Sequence, residues 1–258
     1  PLRLRELGPR DASNFIVRYA PSMSQGRAKL MVTAIRSFLR FLFQRGQIEI
    51  DLAEAVPTVA GWRLSTIPKY LSVEKIAGLL DACDQSTSIG RRNYAILVLL
   101  ARLGLRAGEV VGLELDDIDW RTGEIVVRGK GLLHDRLPLL PEVGEALAAY
   151  LRWDRPLVST RRVFLRTQAP LRGFAGPSTV STIVRRALER AGLNPPLKGA
   201  HLLRHSLATE MLRSGASMAE IGEILRHRSP NTTEIYAKVD FAGLRALAQP
   251  WPVAGGGR

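Results

Sequence analysis

The sequence predicts a mainly helical protein with a small antiparallel β-sheet, an α+β fold. Apolar residues recur at helical spacing in several long segments, and Ser, Pro or Gly marks the ends of these segments. Two short segments typical of strands flank the turn Gly129-Lys130-Gly131, which indicates a β-hairpin. Two prolines and a glycine between residues 57 and 70 favour a linker that separates two domains.

Composition and charge narrow the class of protein. The chain has 258 residues, and it contains neither a long apolar run nor a signal-peptide pattern, so we expect a cytoplasmic protein without a membrane partner. Basic residues outnumber acidic ones by 37 to 24, which gives a net charge of +13 and favours nucleic acid as the partner. The single cysteine, Cys83, excludes an internal disulfide and predicts a small core residue.

The first 56 residues are predicted to form three helices, at Pro9–Tyr19, Ser24–Phe43 and Ile50–Ala55. The long middle helix carries one apolar stripe, which consists of Met31, Ala34, Ile35, Phe38 and Leu42. The arginines that lie largely off this stripe are Arg27, Arg36 and Arg40. The aromatic residues predicted to pack between helices are Phe38, Phe41 and Phe43.

The remainder of the chain mixes helical and strand patterns. The predicted helices are Ser72–Ala82, Arg91–Leu103, Pro141–Trp153, Ser178–Ala191, one beginning near His201, Ser217–Leu225 and Phe241–Ala248. The predicted strands are Asp117–Trp120, Glu124–Arg128, Leu132–Leu139 and Arg162–Leu165. The glycine-rich end of the chain, residues 251–258, is expected to be disordered.

Three of the four histidines cluster near the end of the chain, together with an arginine and a tyrosine. His201, Arg204 and His205 are spaced i, i+3 and i+4, so they share one face of a helix. His227 follows, and Tyr236 comes nine residues later. Cations can bind a phosphate and a phenol can attack it, so the cluster is a candidate site for phosphoryl transfer. Taken singly, each residue also has a plain structural interpretation, as a packed aromatic, a buried histidine or a surface cation.

These residues fall within four ordered motifs that resemble those of the tyrosine recombinases, the phage-integrase family. The motifs are Leu103-Gly-Leu-Arg-Ala-Gly-Glu109, Gly129-Lys130-Gly131, His201-Leu-Leu-Arg-His205, and Leu225-Arg-His227 followed by Tyr236. The resemblance implies a helical core-binding domain at residues 1–56, a linker at 57–70 and a catalytic domain at 71–250. It also implies that the two domains form a C-shaped clamp on DNA.

The resemblance implies catalytic roles for six residues, which are Arg106, Lys130, His201, Arg204, His227 and Tyr236. The two arginines would bind the non-bridging oxygens of the phosphate, because guanidinium is planar, bidentate and always charged. Tyr236 would attack phosphorus, His201 would accept its proton, and Lys130 would protonate the leaving oxygen. Supporting roles would fall to Glu109 and His205. Contacts with DNA would fall to Arg27, Arg36, Arg40 and Arg136.

The implied function is site-specific recombination or integration of DNA through a 3′-phosphotyrosyl intermediate, without metal, ATP or another cofactor. The implied partners are double-stranded DNA, other copies of the chain in a homotetramer with a dimer on each site, and accessory DNA-bending proteins. The protein would then be associated with the nucleoid. Two alternatives stay open: a type IB topoisomerase-like enzyme that relaxes DNA, and a catalytically inactive DNA-binding module. The complete set of six candidate residues argues against the inactive module.

The sequence departs from the family pattern at three places. Leu202 stands where many relatives have aspartate after the first histidine of the motif. Arg226 stands where many have glycine before the last histidine, so we expect a differently shaped helix end there. Relatives also carry one or two helices before the segment that matches Pro9–Tyr19, so we expect the sequence to lack part of the DNA clamp.

Overall fold

The computed structural model describes residues 4–59, 68–129 and 134–239. The chain divides into two compact units, residues 1–65 and 66–258. Helices predominate, and three short antiparallel strands form one sheet, which confirms the predicted α+β class. Within the described ranges, no helix is long and apolar enough to cross a membrane. Most of the predicted linker, the predicted helix at 241–248 and the tail at 251–258 lie outside the described residues.

The first unit contains helices α1 (Pro9–Tyr19) and α2 (Gln25–Gln44), as the sequence predicts. Its core is formed by Ala12, Ile16, Val32, Leu39, Leu42, Ile48, Leu52, Ala53 and Val56. The helix predicted at Ile50–Ala55 is wrong, because this segment forms turns instead. The carboxylate of Asp51 accepts a hydrogen bond from the Ala53 N–H (2.9 Å), and such a local bond competes with helix formation.

The buried face of α2 matches the predicted stripe in part, because Leu42 is buried and Met31 and Ile35 pack against the core, whereas Ala34 and Phe38 are exposed. Its buried residues are Ala28, Val32, Leu39 and Leu42. Phe38, Phe41 and Phe43, predicted to pack between helices, keep 53, 50 and 43 % of their surface exposed. The buried residues follow one another at spacings of four, seven and three residues, so they share one face of the helix, and this face consists of aliphatic side chains. The three phenylalanines lie off this face and are therefore exposed to solvent.

The second unit is built around a buried central helix. Its helices are α3 (Val73–Asp81), α4 (Ser88–Arg102), α5 (Ala107–Gly112), α6 (Pro141–Trp153), α7 (Pro177–Arg190), α8 (Ala200–Arg213), α9 (Met218–Ile224) and α10 (Pro230–Thr233). Residues 96–100 of α4 have no exposed surface, which is typical of a helix surrounded by others. Cys83 is buried in the same core, as predicted.

The sheet has the strand order β1-β2-β3 and is antiparallel throughout. Its strands are β1 (Ile118–Asp119), β2 (Glu124–Arg128) and β3 (His134–Pro138). Ile125 and Val127 of β2 pack into the core, while Arg128 pairs with His134 at the hairpin end. Lys130 lies outside the described residues.

The strand predicted at Arg162–Leu165 is wrong. This segment forms only two isolated bridges, Glu114 with Arg162 and Leu165 with Gly173. The guanidinium of Arg155 donates hydrogen bonds to the carbonyls of residues 160, 162 and 163. Because a side chain binds these carbonyls, they are less available for a strand ladder.

Candidate active site

Helix α8 carries the first group of candidate residues. Leu202, Leu203 and Ala208 anchor it in the core, which fixes the face that His201, Arg204 and His205 share. His201 is exposed, and its ring meets the His205 ring edge to face, with centroids 6.4 Å apart. Partial burial and the neighbouring cations Arg204 and Arg106 lower the pKa of His201.

Arg204 is held rigidly beneath the surface. Only 6 % of the residue is exposed, and its two terminal nitrogens donate to the carbonyls of Gly104 and Leu225. Gly104 has a φ of +57°, and a Cβ there would lie 2.6 Å from Leu225 Cδ2, so glycine is needed for this close approach. Burial lowers the pKa of Arg204 to about 10, which leaves it charged at neutral pH.

Arg106 and Glu109 form an ion pair at the start of α5. Sequence reasoning missed this six-residue helix because it is too short to show a clear period. The Arg106 N–H donates to Glu109 Oε2 (2.8 Å), and the Arg106 guanidinium donates to Oε1 (2.6 Å). Burial alone would raise the pKa of Glu109. Hydrogen bonds from Arg106 and the charge of Arg226 outweigh burial, so the pKa is lowered and the carboxylate stays ionised.

His227 lies just beyond α9, whose start is fixed by a reciprocal capping box between Ser217 and Glu220. The Nδ1 atom of His227 forms a hydrogen bond with Thr233 Oγ1 (2.7 Å). Burial, together with Arg204 and Arg106, lowers the pKa of His227 to about 4, so the ring is neutral at pH 7. A neutral imidazole can donate one hydrogen bond and accept another.

Tyr236 lies in the 3₁₀ helix Glu234–Val239 and is only 1 % exposed. It packs with Ala208, Ile221, Leu225 and Val239 in a small apolar cluster. Its hydroxyl forms a 2.8 Å hydrogen bond with His205 Nδ1, and its ring lies parallel to that of His227, with centroids 6.5 Å apart. Burial raises the pKa of Tyr236 to about 12 and lowers that of His205 to about 4.

The structure thus brings most of the predicted site residues into one neighbourhood. This neighbourhood comprises Arg106, Glu109, His201, Arg204, His205, His227 and Tyr236. The histidine that contacts the phenol is His205 rather than His201, the predicted proton acceptor. The sequence contained no signal for Thr233. It showed Arg226 only as a departure from the family pattern and did not predict the contacts of its side chain.

The predicted DNA-contacting arginines are distributed over α2 and β3. Arg27 and Arg40 are exposed on α2, whereas Arg36 donates to the Val56 carbonyl (2.7 Å). Arg136 is exposed on β3 and forms an ion pair with Glu124 (2.8 Å). Their contacts with DNA stay predictions. Among the described residues, no group of three or more His, Cys, Asp or Glu side chains could hold a metal ion.

Comparisons with known proteins identify the family of the chain. The model of the phage integrase family matches residues 69–242. A Sinorhizobium fredii protein, y4rA, named as a putative integrase/recombinase, is 53 % identical over 97 % of this chain and 61 % of its own length. The tyrosine recombinase XerD of Mycobacterium tuberculosis H37Rv is 33 % identical over 95 % of this chain and 82 % of its own length.

Solved structures show the same fold. The recombinase XerH bound to its palindromic difH substrate superposes with a TM-score of 0.76 at 22 % identity, over 95 % of this chain and 72 % of XerH. The chain spans only 61 % of y4rA, so it matches part of that longer relative. With two thirds of its residues matched by the family model and its candidate residues gathered at one site, the chain belongs to the phage integrase family.

Proposed function

We propose that this chain carries the catalytic part of a site-specific DNA recombinase or integrase, which cuts and rejoins duplex DNA through a 3′-phosphotyrosyl intermediate. The observation that carries the proposal is the gathering of Arg204, His205 and His227 around the phenol of Tyr236. A buried tyrosine in an ordinary core would not require two neutral histidines and a buried guanidinium beside it.

The arginines supply the charge that phosphoryl transfer requires. Negative charge builds on the non-bridging oxygens as the phenol attacks phosphorus, and fixed cations aimed there lower the barrier. Arg204 is pre-organised by the carbonyls of Gly104 and Leu225. The Arg106 side chain keeps 39 % of its surface exposed, so part of it remains open to a substrate. No metal is needed in this scheme.

Tyr236 is the nucleophile in this proposal. Its pKa of about 12 and its burial mean that the free protein holds the phenol in a protonated, covered form. Engagement of DNA would have to expose the hydroxyl and bring it beside Arg106 and Arg204, whose charge favours the phenolate. The proton would pass to His205, which already contacts the phenol, or to His201 beside it.

The other roles complete the reaction. His227 would donate from its ring to a phosphate oxygen, with the ring oriented by Thr233. Lys130 would protonate the departing 5′-oxygen. The covalent ester stores the energy of the broken bond, so the strands would be rejoined without ATP. Double-stranded DNA is the proposed partner.

The finer parts of the proposal concern assembly and location. Exchange between two DNA sites requires four strand cleavages, which favours a homotetramer with a dimer on each site. Accessory DNA-bending proteins and association with the nucleoid in the cytoplasm belong to the same proposal. The basic surplus of +13 supports an extended contact with the DNA backbone.

Covalent capture tests the proposal directly. The purified protein is incubated with a pool of short duplexes of randomised sequence, each nicked so that the cleaved strand cannot be rejoined. Adducts that resist denaturant are recovered, their DNA is sequenced, and the modified peptide is identified by mass spectrometry. We expect one enriched DNA sequence, linked through its 3′ end to Tyr236, and undiminished yield in EDTA. Adducts without sequence enrichment, together with relaxation of plasmids lacking the site, would indicate a topoisomerase instead.

A further inference from the structure

Arg226 occupies a backbone position that normally belongs to glycine. Among the described residues it is the only non-glycine residue with positive φ, at 54°. The His227 N–H donates to the Gly222 carbonyl (2.8 Å), and the Arg226 N–H donates to the Glu223 carbonyl (2.9 Å). These two bonds form a Schellman motif at the end of α9, in which the left-handed residue is usually glycine. The backbone disfavours arginine here, so its side chain must offer something that glycine cannot.

The Arg226 side chain is buried and reaches the other half of the site. Only 5 % of it is exposed, and its guanidinium donates to Glu109 Oε2 (2.9 Å) and to the Ile224 carbonyl (3.0 Å). Its own carbonyl accepts a hydrogen bond from the guanidinium of Arg106 (3.1 Å). Its Nε is buried and finds no partner in the part of the chain that the structure describes. An unpaired buried donor is unfavourable and offsets part of what the other bonds of this guanidinium contribute to stability.

The positive and negative charges around Glu109 do not balance. Glu109 is the carboxylate that pairs with both Arg106 and Arg226, and its side chain is 6 % exposed. With glycine at position 226, Glu109 would be paired with Arg106 alone and would largely neutralise it. Two guanidinium groups sharing one carboxylate leave a net positive charge, and the burial of Arg226 and Glu109 limits the screening of this charge by water.

The Arg106–Glu109–Arg226 group lies beside an open cavity of about 1240 Å³. Arg106, Arg226 and His227 line the cavity. Asp135, Glu223 and Glu234 line it too, so the positive surplus is local to the two guanidinium groups that share Glu109. The cavity is large enough to admit part of a nucleic acid backbone. A phosphate that enters it would therefore meet Arg106 while the carboxylate of Glu109 is partly occupied by Arg226.

We propose that Arg226 is a positioning residue, which shares the carboxylate of Glu109 so that the guanidinium of Arg106 stays available to the scissile phosphate. This inference rests on the proposed function of the same site. Arg226 does not itself touch the substrate. Its side chain acts through the ion pair with Glu109, whereas the backbone carbonyl that accepts from Arg106 would be present with any residue at this position.

Arg226→Gly tests this role, because glycine suits the backbone and removes only the side chain. The probe is the duplex recovered by covalent capture, and the readouts are the rate of adduct formation and the affinity for the intact duplex. We expect nearly unchanged affinity and adduct formation that is slower by about 10- to 100-fold, the range for losing a group that orients a catalytic residue. Arg226→Lys keeps a cation and should recover part of the rate.

Two further measurements distinguish an effect of the Arg226 charge from a purely structural role as a tether, in which the side chain would only hold the end of α9 in place. In a Glu109→Gln background no carboxylate competes for Arg106, so adding Arg226→Gly should slow the reaction far less than it does in the parent. On a duplex with an uncharged methylphosphonate at the scissile position, the difference between the parent and Arg226→Gly should shrink. A tether would instead give the same loss on both substrates, because displaced groups slow either reaction, and that result would overturn the inference.

The controls keep this inference separate from the proposed function. If the parent forms no adduct through Tyr236, the proposed function fails. If the parent forms it and Arg226→Gly is equally fast, only the role of Arg226 fails. If Arg226→Gly melts at a lower temperature than the parent, Arg226→Asn is used in its place, because asparagine also tolerates positive φ. Failure of both variants to fold would assign Arg226 to stability and would also overturn the inference.

Discussion

Replacing Tyr236 with phenylalanine separates the chemical role of its hydroxyl from its structural role. The ring packs among Ala208, Ile221 and Leu225, and phenylalanine preserves that packing. What disappears is the hydroxyl and its 2.8 Å hydrogen bond with His205. We expect covalent adducts to vanish, because no other group replaces the nucleophile, while the affinity for intact duplex stays unchanged.

The effect of Tyr236→Phe on stability can be estimated from the same contact. A hydrogen bond between uncharged groups contributes about 1 kcal/mol net, and for a domain of this size that lowers the melting temperature by about 2–4 °C. A fall of about that size in a thermal melt would show that the variant is folded. It would also show that the loss of adduct is a loss of chemistry.

Tyr150→Phe is the matched control. Tyr150 is also buried in the second unit, at 2 % exposure, and its hydroxyl accepts a hydrogen bond from the Leu165 N–H (3.3 Å). It lies outside the candidate site, so this variant should lose similar stability and keep its adduct. Undiminished adduct from Tyr236→Phe, or equal loss of adduct from both variants, would refute the assignment of the nucleophile.

Three other predictions follow from the charges of the molecule. First, His205 and His227 are neutral in the folded state, with pKa values of about 4, whereas an unfolded histidine titrates near 6.5. The unfolded state therefore binds protons first as pH falls, and the free energy of unfolding should drop between about pH 6.5 and 4, by about 2 kcal/mol for each ring at pH 5. Denaturant titrations at pH 7 and 5 measure this, and equal stability at the two values would contradict the burial of neutral rings. Second, duplex affinity should weaken steeply with salt, with a log–log slope of about 0.9 per neutralised phosphate, and a flat response in a filter-binding titration would argue against backbone contacts. Third, Lys130→Ala should slow cleavage by about 10²–10⁴, the range for a lost general acid. A duplex with sulfur at the 5′-bridging position should restore the rate of Lys130→Ala and leave Arg204→Ala slow, and rescue of both variants or of neither would exclude Lys130 as the acid.

The sequence alone was sufficient for the class of fold and for most long helices. Helices such as Pro141–Trp153 carry a clear apolar period and a capping or N1 residue, and these are local signals that do not depend on the rest of the chain. The candidate residues could also be found in the sequence, because their spacing places them on common helix faces and their order matches a family.

Other features were decided only by tertiary contacts. The exposure of the phenylalanines of α2 depends on which surface packs against that helix. The turns at 50–55 and the short α5 were missed for local reasons instead, namely the Asp51 bond to Ala53 and a length too short to show a period. In the site, spacing along α8 could not tell whether His201 or His205 meets the phenol, because that depends on where a separate segment brings Tyr236. Arg226 was visible in the sequence only as a missing glycine. Its pairing with Glu109, 117 residues away in the chain, exists only because the fold brings the end of α9 next to the start of α5.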